Sequence, residues 1–273
     1  MNSDIHNQAI ILFDEQGTPT FRIDKETDSF IGVAITYNLT HESEIFRQCG
    51  DLFGLYNANP LKNRQISNTR VENITNNLMQ LPVQIVIASV NLTNAEFQQV
   101  VTLYEEYGNL LRTRHRNVRE RPLAHILHSH VLDECVFNSI RNYTESNQID
   151  TNFSVFIDDW SIPYDDIKIT LEQRSQYLES KINSIYQELN LQFRISVPNI
   201  SLLNEDNSRK RFVGVLASVV SKSFMNTENE RYNENPLNYL MTIKFNDYFE
   251  ITNQTIEFIR DFMDESSRNP PEF

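Results

Sequence analysis

Two apolar runs in this chain end in paired carboxylates. Ile10-Ile11-Leu12-Phe13 runs into Asp14-Glu15, and Phe153-Ser154-Val155-Phe156-Ile157 runs into Asp158-Asp159. Short β-branched and aromatic runs bounded by turn residues read as strands, so the pattern predicts acids gathered at the edge of one sheet. Opposed carboxylates share a site only when a cation offsets their repulsion, and aspartate oxygens are the hard ligands that Mg²⁺ or Mn²⁺ takes. The chemistry such an arrangement performs is metal-assisted phosphoryl transfer. Asp14 and Asp158 are the expected metal ligands, with Glu15 or Asp159 assisting. The plainer alternative is that these acids are turn residues, since aspartate also favours strand ends.

A phosphate-bearing substrate needs a basic partner, and the composition supplies none in general: the net charge is -13 and the pI near 4.9. Any polyanion contact must come from a local patch. Arg112, Arg114, Arg116, Arg119 and Arg121 fall within ten positions of a chain holding 24 basic residues, and are the expected nucleic-acid contacts. Arg209-Lys210-Arg211 is a smaller cluster. The competing account of both is a solvated helix face balanced by nearby acids.

Other chemistries are poorly served. His125, His128 and His130, with Asp133 and Cys135 behind them, suggest zinc, but a structural zinc site needs about four ligands and usually paired cysteines; packing histidines are the expectation. Arg121 followed by His128 also resembles the Arg-to-His spacing of helical ribonucleases, a third and weaker reading. The six glycines form no phosphate loop, and no GxSxG elbow is present. Cys49 and Cys135 give neither a disulfide framework nor a CxxC motif, which fits a reducing cytoplasm. Met1 to His6 lacks an apolar signal core, and Phe212 to Val220 falls short of the roughly 18 residues a membrane span requires, so no membrane association is expected. Trp160 is expected to anchor a loop.

The elements that must position these residues begin with Ile10–Phe13, Thr20–Ile23 and Phe30–Tyr37, read as a three-stranded antiparallel meander. Helices are predicted over His41–Leu55, capped by Thr40, and over Val71–Leu81, followed by a buried parallel strand at Val83–Val90. Helical stripes at Asn94–Leu111 and Pro122–Tyr143 look like an insertion, about 94–150, with the arginines at its junction. Phe153–Ile157 returns to strand, Ile167–Leu189 is amphipathic, Gln192–Val197 is a strand and Ser208–Met225 a helix. Leu240–Phe245 is expected as a peripheral strand, Thr252–Met263 as a terminal helix and Ser266–Phe273 as a frayed tail. The result is an α/β chain with one domain over 1–225 and a C-terminal extension over 226–273.

That order, a meander, a helix, a parallel strand and further alternation, is the order of a ribonuclease-H-like core. Within it the chain resembles the domain-of-unknown-function 3800 proteins: Phe13-Asp14-Glu15-Gln16-Gly17 is similar to their opening Asp-Glu-Ser-Gly motif, with Gln16 in place of serine. The likeness runs from about Ile10 to Met225. It implies a ribonuclease-H-like fold and a metal-dependent nuclease found near mobile elements and phage-defence genes. Two acids expected from the resemblance are replaced. The acidic segment after the meander reads Pro60-Leu61-Lys62, and the late Leu-Ala-Asp motif reads Leu216-Ala217-Ser218. Glu72, Glu205 and Asp206 are the substitutes within reach.

Two functions follow. The first is a Mg²⁺- or Mn²⁺-dependent nuclease guided by the arginine segment. The second is a non-catalytic ribonuclease-H-like subunit of a defence complex that binds nucleic acid or a protein from a neighbouring gene, its acids left as relics. Oligomeric state is not specified by the sequence.

Overall fold

A computed structural model describes residues 7–16, 29–57, 66–114, 123–157, 175–178, 180–182, 184, 187, 193, 195–203, 208–225 and 248–268. Its centre is a mixed six-stranded sheet built from β1 (Asn7–Gln16), β2 (Ser29–Asn38), β3 (Val83–Asn91), β4 (Thr151–Ile157), β5 (Ile195–Leu202) and β6 (Tyr248–Glu250), in spatial order β5-β4-β1-β2-β3-β6. β2 is antiparallel to β1 and to β3, β4 is parallel to β1, β5 is parallel to β4, and β6 is parallel to β3.

This order corrects the meander. β1 and β2 pair directly, so no strand lies between them, and the third antiparallel strand is Val83–Asn91 rather than Thr20–Ile23. Residues 20–23 lie outside the described residues, as does Leu240–Phe245. β3 is antiparallel to its neighbour because two helices, α1 (Glu42–Phe53) and α2 (Asn68–Leu78), return the chain to the sheet between β2 and β3. Its unbroken apolar run reports burial on both faces, which a central antiparallel strand shares with a parallel one when helices cover both sides.

Both faces are covered. α1, α2 and α5 (Ser208–Met225) share one core with Ile10, Leu12, Ile31, Val33 and Ile35. α3 (Ala95–Arg114), α4 (Leu123–Asn147) and α6 (Thr252–Arg268) share the other with Ala9, Ile11, Phe13, Ala34 and Val155. The α3–α4 pair is therefore the layer on that face, and Ile251, Ile256 and Ile259 of the C-terminal extension enter the same core. Helical residues 178 and 182 contribute Leu178 and Ile182.

Local chemistry sets the boundaries. Gly54 ends α1 in the left-handed conformation at φ 62°, which glycine adopts without a Cβ penalty. Ser67 caps α2 through its hydroxyl, accepting from the Arg70 amide at 3.3 Å. Asn94 caps α3, accepting from the Glu96 and Phe97 amides at 2.9 and 3.0 Å. No described helix is long and apolar enough to cross a membrane.

Candidate metal and acid–base site at the end of β1

Side chains alternate across a strand, and on β1 the consequence is decisive. Ile10 and Leu12 enter the α5-side core, while Ala9, Ile11 and Phe13 enter the α4-side core. Asp14 and Gln16 continue the first set and Glu15 the second. The contacts agree: a Cβ built on Gly214 of α5 would lie 3.3 Å from Asp14 Oδ2, and His128 Nδ1 of α4 lies 3.5 Å from Glu15 Oε1. The two adjacent acids that the sequence groups in one site thus lie on opposite faces of the sheet.

On the α5 face, Ser218 donates to Gln16 Oε1 at 3.4 Å. Gly214 to Ser218 spans about 6 Å of helix and Asp14 to Gln16 about 7 Å of strand, so α5 runs beside β1 in the same direction, one helical turn per strand repeat. Gly214 sits inside α5, where glycine costs about 1 kcal/mol relative to alanine; its lack of a side chain leaves room for the Asp14 carboxylate. Asp14 Oδ1 accepts from the Glu15 amide at 2.8 Å, which fixes the carboxylate against its own backbone.

A half-buried clamp holds the first turn of α5. Arg209 donates from Nε and Nη2 to the two Glu42 oxygens at 2.7 and 3.1 Å, and its guanidinium stacks over the Phe156 ring at 4.5 Å. Tyr37 donates to Glu42 at 2.7 Å, and burial, with the Glu42 charge, pushes its phenol far above the ordinary range, so it remains a donor. Arg211 donates to the Leu55 carbonyl at 3.0 Å and to that of Asn57. Arg209 and Arg211, offered by the sequence as phosphate contacts, therefore tie α5 to α1 and to the turn after it.

On the α4 face, the helix runs antiparallel to β1. His128 is at Glu15, Val131 is against Gly32 and Phe13, and Tyr143 accepts from Asn7 at 3.0 Å at the far end. The Phe30 ring meets the His128 ring edge-on at 4.7 Å. His130, two residues on, points elsewhere: it stacks on Phe258 of α6 at 4.7 Å, and burial lowers it to about 4. His128 and His130 are on different sides of α4, and the side chain of His125 lies outside the described residues. Cys135 is fully buried with its thiol pushed well up, and burial pushes Cys49 up to about 12, so both remain protonated.

The remaining expected residues are placed as follows. Asp158 and Asp159 lie outside the described residues, directly after Ile157, whose register partner on β1 is Phe13. Arg112 and Arg114 belong to the last turn of α3, with side chains outside the described residues; Arg116, Arg119 and Arg121 fall outside them altogether, between α3 and α4. Pro60-Leu61-Lys62, Trp160, Glu205 and Asp206 are also outside. Glu72 is exposed on α2. Ser218 stands on the α5 face toward Gln16.

No protein-family model and no characterised protein sequence matches this chain. Among solved structures, Bst-RNase HIII in complex with Mn²⁺ aligns with a TM-score of 0.40 and 10% identity, over 97% of this chain and 72% of that one. Ribonuclease H2 from Pyrococcus horikoshii OT3 aligns with a TM-score of 0.36 and 9% identity, over 92% of this chain and 99% of that one.

The donor set on the α5 face can be tested against a metal. Among the described residues no three His, Cys, Asp or Glu side chains gather as a metal cluster. Among the described residues the face offers oxygen donors: the Asp14 carboxylate, the Gln16 carbonyl and the Ser218 hydroxyl. Mg²⁺ commonly keeps several waters and takes one or two carboxylates together with substrate phosphates, so this set suits Mg²⁺ or Mn²⁺ and not zinc.

Proposed function

We propose that the chain is a ribonuclease-H-like, Mg²⁺- or Mn²⁺-dependent phosphodiesterase that acts on nucleic acid, with Asp14 and Asp158 as its metal ligands. The observation that carries this reading is the placement of Asp14 on the α5 face at the end of β1, beside a parallel β4 whose register pairs Phe13 with Ile157. Asp158 follows Ile157 by one Cα step of about 3.8 Å. Antiparallel β1, β2 and β3 followed by parallel β4 and β5, with helices between, is the order ascribed to a ribonuclease-H-like core.

A bound divalent ion would activate water and steady charge on the phosphate. Asp14 anchors it, Gly214 keeps the space above the carboxylate, and the Arg209–Glu42 clamp holds α5 at that height. The arginines from Arg112 to Arg121 run in sequence from the last turn of α3 to the residues before α4, whose first turns reach the same strand end, and would supply attraction for a nucleic-acid backbone. A setting in mobile elements or phage defence belongs to the same proposal and rests on the sequence resemblance alone.

One observation favours the second reading, a non-catalytic subunit binding nucleic acid or a protein partner: Ser218, on the α5 face where the resemblance expects an acid, is engaged with Gln16. Incubation of the protein with single-stranded, duplex and hybrid oligonucleotides in Mg²⁺ and in Mn²⁺ separates the two. The nuclease reading expects cleavage that Asp14→Asn abolishes with the fold intact. No cleavage by the unaltered protein in either metal leaves the binding reading.

A further inference from the structure

We infer that Gln16 is a substrate-binding residue: its side-chain amide, turned by Ser218, presents an N–H donor to a nucleic-acid phosphate beside Asp14 on the α5 face. This deepens the phosphodiesterase reading above and rests on it. Asp14 and Gln16 are two residues apart on β1, so their side chains leave the same face of the sheet. One helix meets both: Gly214 stands opposite Asp14 Oδ2, and Ser218, about one turn later, stands opposite Gln16 Oε1. Gln16 is the last residue of β1, paired with Ile31 of β2, and is half-buried. Glu15, between the two, faces α4 and takes no part.

Ser218 is 7% exposed, so its hydroxyl needs a partner inside the protein, and it donates to Gln16 Oε1 at 3.4 Å. With the carbonyl side of the amide turned toward α5, the Nε2 side is turned away from the helix, and among the described residues Nε2 has no hydrogen-bond partner. A neutral amide suits this place better than a charged side chain. Lys or Arg would repel a cation at Asp14 and a second acid would repel the phosphate, whereas an N–H donor attracts a phosphate oxygen and leaves the cation undisturbed. The reach is sufficient. Side chains two residues apart on one face stand about 7 Å apart along the strand, a distance covered by two cation–oxygen bonds of about 2.1 Å followed by an N–H···O bond of about 2.9 Å. No bond is made or broken at Gln16; it holds the substrate, and Ser218 acts through it as a positioning residue.

The test measures steady-state cleavage of an oligonucleotide in Mn²⁺, and Mn²⁺ binding without substrate by electron paramagnetic resonance, using the full chain. Gln16→Met removes the amide at nearly the same length and is expected to raise KM by about tenfold or more, the value of one hydrogen bond to a charged oxygen, with a smaller change in kcat. Gln16→Glu keeps the acceptors but loses the donor and adds a charge: KM is expected to rise at least as far, while Mn²⁺ binds as tightly as in the unaltered protein or more tightly. A merely structural contact does not move these two readouts in opposite directions. Ser218→Ala, which frees the amide to turn, is expected to raise KM by a few-fold. An unmoved KM in Gln16→Met or in Ser218→Ala overturns the assignment. So does a Gln16→Glu protein that binds Mn²⁺ more tightly with KM unmoved, which would put the amide oxygen and not its nitrogen toward the site, or one in which Mn²⁺ binding weakens. A protein that cleaves with a KM indifferent to Gln16 sinks this inference alone; an unaltered protein that cleaves in neither metal, or an Asp14→Asn protein that cleaves as well as the parent, sinks the phosphodiesterase reading beneath it.

Discussion

Replacing Gly32 by alanine tests how tightly α4 is seated on the sheet. A Cβ at Gly32 would stand 2.3 Å from Val131 Cγ1 and 2.9 Å from Phe13 Cε2, whereas carbon atoms pack at about 3.5 to 4.0 Å. Val131 must therefore retreat by more than 1 Å, and because it is buried in a core shared with Phe13, α4 must move with it. Overpacking of this kind costs about 1 to 3 kcal/mol, which outweighs the 0.5 to 1 kcal/mol that alanine would otherwise gain over glycine in a strand, at roughly those values. Val131→Ala alone opens a cavity and costs about 2 kcal/mol, by extension from single-methyl deletions. In the double variant the new methyl enters the vacated space, so Gly32→Ala/Val131→Ala should be more stable than the sum of the single changes by about 1 kcal/mol or more. Urea denaturation with linear extrapolation measures all three. A Gly32→Ala protein more stable than the parent, or strictly additive single changes, would refute the close approach of α4 on which the Glu15–His128 geometry depends.

Gly214→Ala should separate stability from function. The helix gains up to about 1 kcal/mol from alanine, while the added carbon presses on Asp14 Oδ2 from 3.3 Å; denaturation should show an unchanged or higher midpoint, and a Mn²⁺ titration a weaker site. His130 should make stability pH-dependent. Burial holds it neutral to about 4 in the folded state, with Glu134 opposing and Lys181 reinforcing the shift, whereas the unfolded side chain titrates near its ordinary value of about 6.5. The unfolded chain binds the extra proton between those values, so this contribution is complete above about pH 6.5 and is lost as pH falls toward 4, the loss reaching about 2 kcal/mol at pH 5. Stability profiles of the parent and His130→Leu should diverge over that window, and parallel profiles would exclude the effect.

The first four strands and most helices were legible because their signals are local, whereas the strand expected at Gln192–Val197 lies at Ile195–Leu202 and the short Tyr248–Glu250 strand was not expected. Ser208–Met225 was read to the residue, and Phe30–Tyr37 and Val83–Val90 lie within one or two residues of β2 and β3. The direction of Val83–Val90 was not legible: a strand buried on both faces carries the same apolar run whichever way it points, and only the register with Ser29–Asn38 assigns it. The Thr20–Ile23 segment satisfied the same local pattern, but the pairing of β1 with β2 excludes it from the place the meander gave it.

The face on which each candidate acid lies was only partly legible. Asp14 could be chosen from its position at the end of an apolar run, but grouping it with Glu15 overlooked the two-residue period that places consecutive side chains on opposite faces. The glycine interrupting Phe212-Val213-Gly214-Val215 was a usable signal, because an unforced glycine inside an apolar helix usually marks close approach. The contact between Glu15 and His128 joins residues more than a hundred positions apart and had no sequence signal. Arg209 and Arg211 illustrate the converse: a basic triplet resembles a phosphate site until its partners, Glu42 and the Leu55 carbonyl, are seen.

The central claim is that Asp14, and not its neighbour Glu15, anchors a divalent cation at the end of β1. Electron paramagnetic resonance of Mn²⁺ titrated into the unaltered protein, Asp14→Asn and Glu15→Gln measures this without any substrate. The account predicts saturable Mn²⁺ binding that Glu15→Gln retains and Asp14→Asn loses. Equal binding by the unaltered protein and Asp14→Asn, or loss in Glu15→Gln alone, would contradict it.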